Sequence, residues 1–346
     1  LAGRPKIKDI ADMVGVSPAT VSRALAGTGL VAEPTLSRIR ETAAALDYRP
    51  NVSARNLRTQ RSMAILLVVR DAGNPFYLEV FKGVEAAARE AGYSVLMGNT
   101  EDDPVRETEY FAMLGDGHAD GMILMTGKLP APNDTRATGD EPVVVALEMV
   151  EGSGYPHVVI DNHAAALSAV NHLIELGHQN IAHITGPLPE PMSQRRMEGY
   201  RTAMKLAGLA IREGFEQRGD YLLESGVQCC RALLALPVLP TAIFCANDEM
   251  AFGVIGELNR QGVSVPDDVS VVGFDDLFLS AAFQPPLTTV SQPRADIGRQ
   301  AMTILLSRLS GAAVPDEPVV VATQLKVRGT TAPPKSLTTQ HQGRHQ

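Results

Sequence analysis

At 346 residues the chain is too long for one ordinary core and implies two or three compact units. Apolar residues at 45% and charged residues at 20% suit a globular protein, and no apolar run approaches the roughly 18 residues that cross a bilayer, which excludes a membrane-spanning reading. The net charge of −8 hides an asymmetry: residues 1–61 carry ten Lys/Arg and five Asp/Glu, a net of +5, whereas residues 62–346 carry 21 and 34, a net of −13. A small basic head on an acidic body suits attraction to phosphates by one module and repulsion elsewhere. The opening LAGRPKIKDI has no signal-peptide pattern, so a cytoplasmic location is expected. Cys229, Cys230 and Cys245 form neither a CxxC pair nor a zinc spacing; they are expected to be buried apolar side chains, and no metal and no cofactor is anticipated.

In chain order, Ile7, Ile10, Ala11 and Val14 share one face of a helix that Gly15 ends. Ser17-Pro18 then supplies an N-cap hydroxyl and a first-turn proline, so a second short helix starts at once. Val21, Ala24 and Leu25 turn inward along it, and Pro18, Ala19, Thr20, Ser22 and Arg23 lie on its outer, N-terminal side. A third pattern, Leu36, Ile39, Ala43 and Leu46, completes a three-helix, helix-turn-helix unit before Tyr48-Arg49-Pro50 breaks the chain. Residues 51–59, with Arg55 and Arg58 but only Val52, Ala54 and Leu57 as apolar side chains, cannot bury enough surface to fold alone.

From residue 63, apolar runs alternate with helical patterns: AILLVV, SVLMGN, GMILM and VVVALEM in one series, then HVVID, IAHIT, TAIFCA and VSVVGF in a second. Such alternation predicts parallel sheets covered by helices, as two doubly wound lobes with a cleft at the carboxyl ends of their strands. Phe76, Tyr77, Asp161, Asn247, Asp248 and Asp275 fall at or just beyond such strand ends. No GxGxxG after the first strand, GK[ST] loop, HExxH or GxSxG occurs, so no catalytic residue is assigned and the chain is not expected to be an enzyme. His178 and His183 flank a strand, where core or surface histidines are common.

The strings KIKDIADMVGVSPATVSRAL, YRPNVSARNLR, NPFYLEVFKGVEAAAREAGY, LIELGHQNIAHITGP, FCANDEMAFG and PPLTTVSQP together resemble the LacI/GalR repressors as far as about residue 332. The resemblance implies a homodimer on a near-palindromic operator, with a helix-turn-helix head at 1–50, a hinge helix at 51–61 and a two-lobed effector domain at 62–332. The N-lobe would comprise about 62–162 plus 292–323 and the C-lobe about 163–291 plus 324–332, the chain crossing near His163, Ser291 and Gln324. Residues 333–346 would be a disordered tail, lacking the heptad leucines of a tetramer-forming helix. Operator contacts fall to Ser17, Pro18, Ala19, Thr20, Ser22, Arg23, Asn51 and Arg55, with Leu57 as a minor-groove wedge. The effector would meet Phe76, Tyr77, Asp161, Arg196, Tyr221, Asn247 and Asp275.

Three aromatic rings could stack a flat base while Asp161 and Asp275 bind hydroxyls, which suits a nucleoside or a sugar. A likeness to the cytidine-responsive branch, through PHVVIDNHAAALSAVNHL for example, favours the nucleoside. Two helix starts depart from the family, with Lys6 and Ala32 where a capping Ser or Thr is usual, each expected to cost on the order of 1 kcal/mol. A free two-lobed solute-binding protein, or an α/β enzyme acting on nucleosides or sugars, remains as an alternative.

Overall fold

The structure is a computed structural model that describes residues 5–25, 27, 31–48, 61–130 and 139–335. The chain divides into two units, Leu1–Ser62 and Met63–Gln346. In the first, α1 (Ile7–Val14), α2 (Pro18–Leu25) and α3 (Glu33–Ala45) enclose a small core of Ile10, Ala11, Val14, Val21, Ala24, Ile39 and Ala43. The turn from α1 to α2 closes at Gly15, whose φ of +73° is left-handed and whose N–H donates to the Ala11 carbonyl. Arg38 ties α3 to the end of α1 by donating from Nη2 to the Val14 carbonyl at 3.2 Å.

The start of α1 differs from the sequence expectation. Lys6 cannot cap through its side chain, but its backbone N–H donates to the Asp9 carboxylate at 2.7 Å, half of a capping box. Asp9 also places a negative charge at the positive end of the helix. The anticipated loss at Lys6 is therefore largely offset three residues downstream. Ala32 has no such rescue: α3 starts without a side-chain cap and with a proline in its first turn.

In the second unit, the first sheet contains β1 (Ala64–Val69), β2 (Ser94–Asn99), β3 (Gly121–Leu124), β4 (Val143–Ala146), β5 (His157–Val159) and β11 (Val319–Val320), ordered β11-β5-β4-β3-β1-β2 and parallel throughout. The second contains β6 (Ile181–Thr185), β7 (Glu216–Arg218), β8 (Ala242–Cys245), β9 (Ser270–Asp275), β10 (Thr288–Ser291) and β12 (Gln324–Lys326), ordered β12-β10-β9-β8-β6-β7. It is parallel except where β12 runs antiparallel to β10 at the edge. β1, β3, β4, β6, β8 and β9 are almost wholly buried, as strands covered on both faces must be.

The helices of this unit are α4 (Pro75–Glu90), α5 (Pro104–Gly115), α6 (Asn162–Glu175), α7 (Pro191–Leu206), α8 (Leu223–Leu234), α9 (Asp248–Arg260), α10 (Phe278–Ala282) and α11 (Arg294–Leu309). The chain passes from one sheet to the other between β5 and α6, between β10 and α11, and between β11 and β12. Helix α11 returns to the first sheet and packs along α4. The eight apolar runs singled out in the sequence all form strands. The remaining four among the described residues, β7, β10, β11 and β12, span two to four residues and lie outside those runs.

Candidate functional site

Two regions carry the residues of interest. On the head, Ser17 caps α2: its Oγ accepts the Thr20 N–H at 3.1 Å and shares a 2.9 Å hydrogen bond with the Thr20 hydroxyl. This seats the proline in the first turn and aims the N-terminus of α2 outward. Ser17, Pro18, Ala19 and Arg23 are exposed, Thr20 and Ser22 are half-buried, and Val21 and Ala24 are buried beneath them. Arg23 Nε reaches the Ala19 carbonyl at 3.4 Å. The outer face thus presents one guanidinium, hydroxyls and two small apolar groups. Asn51, Arg55 and Leu57 lie outside the described residues.

In the second unit, a cavity of about 410 Å³ opens between the carboxyl ends of the two sheets. Six of the seven residues assigned to an effector line it: Phe76, Tyr77, Arg196, Tyr221, Asn247 and Asp275. The seventh, Asp161, does not. Its Oδ1 accepts the Ala164 N–H at 2.9 Å and caps α6, and the residue is exposed. Its neighbours Ile160 and Asn162 line the cavity instead.

Each polar group in the cavity is held by a second one. Arg196 is 3% exposed, and its guanidinium lies 3.7 Å from the Phe274 ring centroid. It donates from Nε to Asn162 Oδ1 at 2.8 Å and from Nη1 to the Ala246 carbonyl at 2.5 Å. Asp275 ends β9 with φ of +119° and accepts from Gln292 Nε2 at 2.7 Å. Burial pushes its carboxyl well above the usual range, the Arg196 charge opposing and the buried Asp248 adding to the rise. Asn247 caps α9, accepting the Met250 N–H at 3.0 Å, and donates to the Tyr221 carbonyl at 2.8 Å. That bond secures Tyr221 in a left-handed conformation, φ +72°, with its hydroxyl 2.6 Å from Ser193 Oγ. Burial drives the Tyr221 phenol up to about 12, so the ring stays neutral. Phe76 and Tyr77 meet edge to face at 5.4 Å on the opposite wall.

Sequence reasoning missed Asn162, Gln292 and an ionic cluster around Arg70. Arg70, just beyond β1, pairs with Glu190 at the start of α7 and with Asp102 at 3.0 Å. Lys128 pairs with the same Asp102 oxygen at 2.7 Å. Glu148 is buried, and burial together with the nearby Glu190 raises its carboxyl to about 7. Arg70 closes the first strand run and was visible as AILLVVR, but nothing local marks its partner 120 residues away. Among the described residues no group of His, Cys, Asp or Glu could hold a metal ion, and no helix is long and apolar enough to cross a membrane.

Comparison with known proteins accounts for both regions. Residues 6–51 match the profile of bacterial regulatory proteins of the lacI family, and residues 170–331 that of the periplasmic binding protein-like domain. The HTH-type transcriptional repressor CytR of Escherichia coli K12 is 37% identical, with 94% of this chain and 96% of that protein covered. The ribose operon repressor of the same strain is 34% identical over 94% of this chain and 99% of its own. The crystal structure of the lac repressor dimer bound to operator and the anti-inducer ONPF superimposes with a TM-score of 0.84 at 25% identity, covering 95% of this chain and 100% of that one. With a basic helix-turn-helix head, two parallel-sheet lobes and repressors matched over nearly their full length, the chain belongs to the LacI family of bacterial transcriptional regulators.

Proposed function

We propose that the protein is an operator-binding repressor that acts as a homodimer in the cytoplasm, without enzymatic activity, and is controlled by a nucleoside in the cleft. The observation that carries the effector assignment is the meeting in one cavity of two sets of groups: aromatic rings on facing walls, Phe76 and Tyr77 against Tyr221, and the polar Arg196, Asp275, Asn247 and Asn162. A flat base stacks on the first and ribose hydroxyls bridge the second. The likeness to the cytidine-responsive branch supports the same choice. Base reading falls to Thr20 and Arg23, with Pro18 and Ala19 offering apolar contact to a thymine methyl and Ser17 and Ser22 bonding to phosphates. Asn51, Arg55 and the wedge Leu57 complete the interface at the operator dyad. Ligand alters the angle between the lobes and thereby the folding of the paired hinges, and it shifts operator affinity only by its own differential affinity for the two states.

Fluorescence anisotropy of a labelled family-type palindrome with a central CpG tests this at fixed salt. Binding in preference to scrambled DNA, reversed by cytidine or adenosine, is the expected result. Binding indifferent to nucleosides but reversed by ribose would replace the effector. No preference for any sequence selected from a random pool would overturn the repressor reading, and turnover of a candidate ligand would favour an enzyme.

A further inference from the structure

We propose that Glu190 sets the charge of the ligand this cleft accepts: by binding Arg70 across the opening it withdraws a cation that would otherwise hold a phosphate, and so restricts the site to unphosphorylated molecules. The inference deepens the effector reading above and rests on it only for the location of the ligand.

The charges on the cavity wall are unequal. Asp71, Glu101, Asp102, Asp220 and Asp275 face it, against Arg70 and Arg196. Both arginines already carry protein partners. Arg70 is held by Glu190 from the second lobe and by Asp102 from the first, with side-chain exposures of 14% and 12% for Arg70 and Glu190. Arg196 has Nε and Nη1 committed to Asn162 and Ala246, and the face of its guanidinium lies on Phe274.

Behind Arg70 the acids already exceed the cations. Glu190 Oε2 and Glu148 Oε1 are both buried without a hydrogen-bond partner, as is Arg70 Nε, which meets Asp102 only as an ion pair. Burial and the nearness of Glu190 raise the Glu148 carboxyl, a sign that the surroundings of Glu190 are already rich in negative charge. A phosphate placed here would meet more carboxylates than cations. With Glu190 removed, Arg70 would regain a terminal nitrogen at the rim of the cavity, in the planar geometry that suits a phosphate.

The test uses the full chain and inorganic phosphate as probe, read by thermal unfolding against chloride at matched ionic strength. Phosphate contacts of the basic head are common to all variants and cancel in the comparison. E190Q is expected to bind phosphate at least about tenfold more tightly than the wild type, and the double variant E190Q/R70Q to lose that gain. Should E190Q fail to fold by circular dichroism, E190A carries the same comparison. A wild type that binds phosphate as tightly as E190Q, or a gain that survives removal of Arg70, overturns the proposal. A parallel titration of the wild type with cytidine and adenosine separates the two ideas: its failure removes the nucleoside and leaves the phosphate comparison standing.

Discussion

Arg196 and Glu148 show two ways in which a buried charge can be kept. The guanidinium of Arg196 is satisfied by Asn162 and Ala246 and oriented by Phe274, so it stands ready for a ligand without reorganising. Arg196→Met removes one charge-assisted anchor and leaves two acceptors unpaired. Effector affinity should fall about 100-fold and stability by about 1–3 kcal/mol, while operator binding without effector persists. Calorimetry and anisotropy on the same preparation check this; equal loss of both activities would mark a purely structural arginine.

Glu148 is left short of partners, and its carboxyl rises to about 7 from the ordinary value near 4. Between those values the native chain holds a proton that the unfolded chain has released, so this group's contribution to stability falls as pH rises from about 4 to 7. His183 opposes it: burial lowers its imidazole to about 4, so its contribution falls as pH drops from about 6.5 to 4. Glu148→Gln removes only the first slope. It should stabilise the domain at pH 8 relative to pH 5 by on the order of 2 kcal/mol in urea unfolding, and parallel curves for variant and wild type would refute the assignment.

At the scale of elements, the head depends on a few local devices. Among the described residues its buried core is seven small or aliphatic side chains, so a single cap is a large fraction of its stability. Asp9→Ala deprives Lys6 of its acceptor and should lower head stability by about 1 kcal/mol, melting α1 to α3 earlier while the α/β unit is unaffected. Amide exchange resolves the two units. In the α/β unit the sensitive contact is α4 against α11, where a Cβ added at Gly83 would lie 1.9 Å from the Ala295 carbonyl oxygen and one at Gly298 would lie 2.2 Å from that of Val80. Two helix backbones meet here with glycine on each side. Gly83→Val should separate them and, by overpacking, cost upwards of about 2 kcal/mol, measurable as a lower denaturation midpoint.

For the molecule as a whole, the division at residues 62 and 63 separates the proposed DNA contacts from the proposed effector contacts. A fragment spanning 63–335 contains both sheets, the cavity and the three passages between them. It should fold and bind the effector within about threefold of the full chain, yet show no preference for operator over scrambled DNA, since a self-contained core needs no help from a separate unit. Loss of ligand binding in a folded fragment would show that the head contributes to the cleft.

Sequence alone determined the features that depend on local periodicity and on backbone chemistry: the three helices of the head, the capped N-terminus at Ser17, and the alternation of buried strands with helices in two series. It also located four cavity residues, Phe76, Tyr77, Asn247 and Asp275, because strand ends are legible and ligands of open α/β sheets collect there, whereas Arg196 came from the family resemblance. Tertiary structure decided the rest. Whether Asp161 or Asn162 faces the cavity turns on a single residue at a helix start, which periodicity does not resolve. Asn162, Gln292 and the Arg70–Glu190 pair join residues far apart in the chain, and no local pattern records which distant charge a folded wall will bring into contact.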